Sequence, residues 1–190
     1  MRAIVGLGNP GSEYDGTRHN VGFAVIDRMC ETYRVKLRPG KGDYSICSVS
    51  GNDLILVKPM TFMNNSGSAV SDIFSRYELS LQDVLVVVDD IHLPLGTLRL
   101  RISGTDGGHN GLRSIIYQLG SDQFPRLRCG IGSELKPNDA GRLSNFVLSQ
   151  FDATEIANVT TMCNNAADVA TAFAHDGIEA ARRCLSNQKI

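Results

Sequence analysis

The chain has 190 residues, 42% hydrophobic and 21% charged, with a formal net charge of −1 at pH 7. That suits one domain, residues 1–190, with a sizeable core, and it leaves no global basic field, so a nucleic-acid partner would have to be met by local positive charge. No run is apolar and long enough to span a membrane, and the first residues lack a signal-peptide pattern. Five scattered cysteines without C-x-x-C argue against a disulfide framework or a structural zinc site and for a reducing cytoplasm.

Residues 1–5 are a short apolar run closed by Gly6-Leu7-Gly8-Asn9-Pro10-Gly11, the pattern of a buried strand that ends in a sharp turn. Asn9 sits inside that turn, held extended by the following proline. Thr17-Arg18-His19-Asn20 comes next, where the chain has turned and a helix is about to start. Val21, Ala24, Val25 and Met29 recur at helical spacing, with Asn20 as a plausible cap. Residues 35–42 read as a basic connection, and residues 43–49 and 54–58 as two strands joined by the turn Ser50-Gly51-Asn52-Asp53. After Lys58-Pro59 the chain passes Phe62 and Asn64 into a helical pattern through Val70, Ile73, Phe74 and Tyr77, for which Ser66 is a natural cap.

Residues 84–88, Val-Leu-Val-Val-Val, carry the strongest strand signal: continuous, apolar, and so buried on both faces. They end in Asp89-Asp90-Ile91-His92, and in open α/β sheets chemistry collects beyond the carboxyl ends of strands. Residues 96–102 alternate Leu98 and Leu100 with Thr97, Arg99 and Arg101, a strand with one apolar and one basic face. A glycine-rich loop, residues 104–111, precedes a helix with Leu112, Ile115, Ile116 and Leu119. Residues 126–131 form a further short strand with Arg126 and Arg128, residues 136–142 a loop, and residues 154–185 an alanine-rich helical stretch broken at Asp176-Gly177. Strands alternating with helices, plus a hairpin, predict an α/β fold: a mixed, mostly parallel twisted sheet with helices on both faces.

Polar side chains gather at the predicted strand ends and loop exits: Asn9 with His19, Phe62 with Asn64, then Asp89, then His109 and Asn110. A histidine supplies a base that works near neutral pH, and a buried carboxylate beside it would fix its tautomer and stabilise the imidazolium. Asparagines offer a donor and an acceptor without charge, enough to orient a water or hold an amide. His19, Asp89, Asn9, Asn64 and Asn110 thus form a general-base set without a covalent nucleophile. Singly, each asparagine could be a turn or cap residue, and Asp89 could cap a turn. His109 reads better as a structural residue pinned between glycines. His92 with Asp89 and Asp90 matches no metal-ligand spacing, so no metal and no cofactor are expected. Gly6, Gly8 and Gly11 satisfy G-x-G-x-x-G, but Pro10 to Gly16 continue the loop where a dinucleotide site would need a helix start. Arg99, Arg101, Arg113, Arg126 and Arg128 could form one stripe for phosphates, or a solvated face.

These segments together resemble the bacterial-type peptidyl-tRNA hydrolase family. The resemblance rests on residues 5–11, on Tyr14 with residues 17–23, and on Lys58-Pro59 with Thr61-Phe62-Met63-Asn64 and Ser66-Gly67. It extends to Asp89-Asp90 with Leu93-Pro94 and Gly96, and to Gly107-Gly108-His109-Asn110-Gly111-Leu112, so it covers nearly the whole chain in order. It implies a metal-free, monomeric, cytoplasmic enzyme that cleaves the ester between a peptide and the 3′ ribose of tRNA. It further implies His19 as the general base, Asp89 as its orienting acid and Asn9 as the residue that recognises the peptide amide. Tyr14, Phe62, Asn64 and Asn110 would be contacts around the ester and the tRNA end, and Arg99, Arg101 and Arg128 cations for the tRNA backbone. Two departures from the family pattern, His92 and Ser133-Glu134, fall at the RNA-binding edge. The rivals are a non-catalytic RNA-binding module using the arginines and a nucleotide-dependent enzyme using the Gly6 turn.

Overall fold

Two runs with no polar side chain, residues 3–5 and 84–88, are buried on both faces and pair in parallel in the interior of the sheet. The computed structural model describes residues 1–133 and 140–188. In chain order the elements are β1 (Arg2–Gly6), α1 (Val21–Tyr33), β2 (Arg38–Pro39), β3 (Tyr44–Val49), β4 (Leu54–Pro59) and α2 (Ser66–Arg76). Then follow β5 (Val84–Pro94), β6 (Leu98–Arg101), α3 (Asn110–Leu119), β7 (Arg126–Gly132), α4 (Ala140–Val147), α5 (Ile156–Asp176) and α6 (Ile178–Asn187).

The strands form one mixed seven-stranded sheet in the order β2-β3-β4-β1-β5-β7-β6. The inner strands β4, β1, β5 and β7 run parallel, and β3 and β6 add antiparallel at either side. Side-chain alternation splits the core in two. Ile4, Leu85, Val87, Leu127 and Cys129 face α1, α5 and α6, while Ala3, Val5, Val84, Val86 and Val88 face α2 and α3. Helices therefore cover both faces, as the alternation of elements predicts. All five cysteines are free thiols.

What sets the site is the approach of α1 to β1. A methyl group on Gly6 would run into the carbonyl oxygen of Gly22, and one on Gly22 into the backbone of Leu7. The two glycines let the helix start lie directly on the strand, which fixes where residues 18–20 emerge. The loop between them holds only single 3₁₀ turns, Ser12–Tyr14 and Arg18–Asn20, before α1 begins at Val21. No helix follows the Gly6 turn at once in the chain, as the dinucleotide fingerprint requires.

Four local readings change. Asn20 occupies the cap position of α1, yet its side chain makes no cap bond. Its amide instead holds Asn9. Ser66 is the first residue of α2 rather than its cap, and its buried hydroxyl donates to the Met63 carbonyl at 2.9 Å. β5 continues past Asp89 to Pro94 through an irregularity in its pairing with β7. Of the segment read as loop at residues 136–142, residues 136–139 lie outside the described residues, and 140–142 are the first turn of α4. Leu143, Phe146 and Val147 have helical spacing, but eight residues carry a short signal.

Candidate active site

Asn9 follows the carboxyl end of β1, and its backbone is clamped by Asn20. The Asn20 Oδ1 accepts from the Asn9 N–H at 2.8 Å, and Asn20 Nδ2 donates to the Asn9 carbonyl at 3.0 Å. Asn9 Oδ1 in turn accepts from the Met63 N–H at 2.8 Å. An acceptor bonded to a backbone N–H settles which amide atom is oxygen, so Asn9 turns its Nδ2 donor to the cleft that it lines.

His19 and Asp89 meet across the α1–β5 side of this rim. His19 Nδ1 lies 2.8 Å from Asp89 Oδ1, and both side chains are buried. The ionised carboxylate can only accept, so Nδ1 carries the proton and Nε2 is left as the basic nitrogen. Burial pulls the His19 pKa down, but the charge of Asp89 and the hydrogen bond to it push harder, and the net shift is upward. Burial likewise disfavours the Asp89 carboxylate, yet the two histidines beside it hold its pKa far below the usual carboxylate range.

The second of those histidines is His109. Its Nε2 lies 2.9 Å from the same Oδ1 of Asp89. Its Nδ1 accepts from the N–H groups of Gly111 and Leu112 at 3.1 and 3.2 Å, capping α3. A ring nitrogen that accepts carries no proton, so this geometry sets the neutral tautomer with the proton on Nε2, donating to Asp89. The structural part read for His109 is therefore present, and a second contact is added to it. It caps a helix and belongs to the buried His19–Asp89–His109 cluster, with ring centroids of the two histidines 5.0 Å apart. The sequence signal was the position just ahead of a helix after two glycines.

Donor atoms of these three residues all lie within 4.8 Å of one another, close enough for one metal ion. His109 does not fit that use. An imidazole bound to a metal through Nε2 would carry its proton on Nδ1, where Gly111 and Leu112 already donate.

The cluster lies at the bottom of an open cleft of about 710 Å³. Asn64, Asn110 and Arg128 line it with Asn9, and Phe62, Met63, Leu112, Leu143 and Val147 give it an apolar side. Phe62 is 55% exposed. Tyr14 is not part of the lining; its ring stands edge-on to Phe62, with centroids 6.3 Å apart. His92 reaches the cleft as an exposed side chain, Ser133 lies at the end of β7, and Glu134 falls outside the described residues.

The predicted arginine stripe divides. Register pairs Arg99 with Arg128 and Arg101 with Arg126, so the four share one sheet face. Arg99 and Arg101 are exposed on the outer strand β6. Arg128 turns into the cleft, with Nε 2.8 Å from Asp90 Oδ2. Arg126 is removed from the stripe: it is 2% exposed and spends its donors on the carbonyls of Gly104, Thr105 and Asp122. That bonding anchors the base of the loop that presents His109. Arg113 lies 3.6 Å from Asp106 and donates weakly to Asn110 at 3.4 Å.

Comparison with known proteins agrees with this geometry. The family model described as peptidyl-tRNA hydrolase matches residues 3–190. The peptidyl-tRNA hydrolase of Chlorobaculum parvum is 47% identical over 181 residues, 94% of each chain, and that of Chlorobium chlorochromatii 42% identical over 100% of each. A crystal structure of peptidyl-tRNA hydrolase from Acinetobacter baumannii superposes with a TM-score of 0.90 at 32% identity, covering 100% of this chain and 96% of that one. With a match over nearly its whole length and relatives this similar, the chain belongs to the peptidyl-tRNA hydrolase family.

Proposed function

We propose that this chain hydrolyses the ester between a peptide, or an N-blocked aminoacyl group, and the 3′ end of tRNA, releasing both. The observation that carries the reading is the 2.8 Å bond from His19 Nδ1 to Asp89, which leaves Nε2 as a base at the bottom of an open cleft. Nε2 takes a proton from a water as that water attacks the ester carbonyl. The imidazolium so formed is stabilised by the Asp89 charge beneath it, and it returns the proton to the departing ribose 3′ oxygen. His109 donates to the same carboxylate oxygen and keeps Asp89 in place. No covalent intermediate on the enzyme and no metal is invoked.

Asn9 accounts for the choice of substrate. Its remaining group is the Nδ2 donor, since Met63 occupies the oxygen. A peptide brings an amide carbonyl that accepts from this donor. An unblocked aminoacyl group brings an ammonium, which has donors only and leaves Nδ2 unpaired. Asn64, Asn110 and Phe62 line the cleft where the ester and the last bases would lie, with Tyr14 behind Phe62. Aromatic faces suit base stacking, and the cations Arg128, Arg99 and Arg101 lead from the cleft along one sheet face toward the tRNA backbone. Five free thiols suit a reducing cytoplasm, where we place this activity, and we expect a monomer.

The test is release of tRNA from N-blocked aminoacyl-tRNA, with the unblocked ester as control. The reading expects rapid release from the first and little from the second. Equal hydrolysis of both, or of neither, contradicts it.

A further inference from the structure

Arg18, the residue just before His19, does no chemistry in the account above, yet it is one of the most elaborately held side chains in the molecule. Its side chain is 5% exposed. Two of its nitrogens grip both oxygens of Glu155, at 3.2 and 2.6 Å. Its guanidinium lies over two aromatic rings, 4.6 Å from the centroid of Phe146 in α4 and 4.7 Å from that of Phe151. Its backbone N–H donates to the Ser149 carbonyl at 3.0 Å, and Thr17 makes an antiparallel bridge with Gln150. The hydrogen bond from Arg18 holds the Glu155 pKa below its ordinary value, and Glu155 also accepts from the Asp152 N–H at 2.8 Å.

A buried ion pair is a poor means of gaining stability, because desolvation cancels most of the attraction. An apolar side chain between two phenylalanines would serve as well. A guanidinium adds direction: its plane sets the angle of both rings, and its fork sets the position of Glu155. What that direction controls is the seat of α4 itself. Leu143, Ser144 and Val147 form a wall of the cleft, while Phe146 of the same helix is the residue that Arg18 grips.

We propose that Arg18 is a positioning residue that docks α4, and with it one wall of the substrate cleft, onto the segment carrying His19. Because His19 is separately anchored to Asp89, loosening Arg18 disturbs substrate binding more than the chemical step. This rests on the function proposed above, and hydrogen exchange gives it a readout independent of that function.

The experiment compares Arg18→Lys and Glu155→Gln with the unaltered chain at a temperature well below unfolding. On N-blocked aminoacyl-tRNA, each variant is expected to raise KM by about fivefold or more with kcat within about twofold, the equivalent of losing one directed ionic contact. The double variant is expected to be little worse than Arg18→Lys alone, since the two residues act as a unit. Exchange of the α4 amides is expected to speed by about tenfold while β1 and β5 stay protected. A lower melting temperature with unchanged KM and unchanged α4 exchange would reduce the pair to a structural ion pair and overturn the proposal. A fall in kcat with KM unchanged would overturn it as well. Should Arg18→Lys fail to fold, Glu155→Gln decides by the same criteria. If the unaltered chain hydrolyses no ester, the reaction reading fails, and α4 exchange alone decides whether Arg18 docks the helix.

Discussion

Replacing Asp89 by Asn tests the charge beneath His19 while changing the side-chain volume little. Two influences act on the imidazole: burial lowers its pKa, and the Asp89 charge and hydrogen bond raise it. Removing the charge leaves burial unopposed, so the acid limb of the pH–rate profile is expected to move to lower pH, below where the unaltered chain shows it. The plateau is expected to fall at the same time. A hydrogen bond to a charged partner is worth up to about 3 kcal/mol, and losing it where the imidazolium forms costs about 10²-fold in kcat/KM. Asn also presents an amide to two ring N–H groups that both need an acceptor at Oδ1, so any misorientation adds to that loss. The assay is kcat/KM for N-blocked aminoacyl-tRNA across pH 5–9, with circular dichroism to show that the variant is folded. A limb that stays in place or moves up, or a plateau within about twofold of the unaltered chain, would refute the reasoning.

His109→Ala is expected to cost about 1 kcal/mol of stability through the lost α3 cap and to reduce activity; His109→Asn should restore the cap but not the bond to Asp89, so stability returns and activity does not. Asn9→Asp removes the donor that faces the cleft, and the ratio of hydrolysis of blocked over unblocked aminoacyl-tRNA is expected to shrink by about tenfold or more. Folding raises the His19 pKa above its ordinary value of 6.5, so the stability it contributes is full below that pH and is lost as pH rises through the folded value. Urea titrations should show this fall in the unaltered chain and not in His19→Gln. With a net charge of −1, tRNA binding depends on local cations and should weaken steeply with salt; Arg99→Gln should reduce the log–log slope by about one. Affinity that ignores salt would contradict the assigned tRNA path.

How far the site could be read from the sequence depends on the range of the interaction. Asp89 stood out because a carboxylate ends an otherwise apolar run, and buried strands place such residues at the functional edge of the sheet. Asn9 and His19 stood out because a glycine-rich turn delivers both to that edge. The second role of His109 was hidden, since its partner lies on β5, twenty residues away, and no spacing in the chain encodes which ring nitrogen meets which group. Arg126 and Arg128 show the same limit. They alternate identically on β7, but the loop at Gly104 closes over one and the cleft opens over the other. Asn20 and Ser66 have the composition of caps, but Asn9 takes the Asn20 side chain and the Met63 carbonyl, three residues back, takes that of Ser66.

The claim at the centre is that His19 Nε2 is the base, and the most direct measurement pairs hydrolysis with binding in His19→Ala. The account expects kcat for N-blocked aminoacyl-tRNA to fall by about 10³-fold, while the Kd for tRNA stays within about threefold. Hydrolysis that survives the substitution, in a folded variant that still binds tRNA, would contradict it.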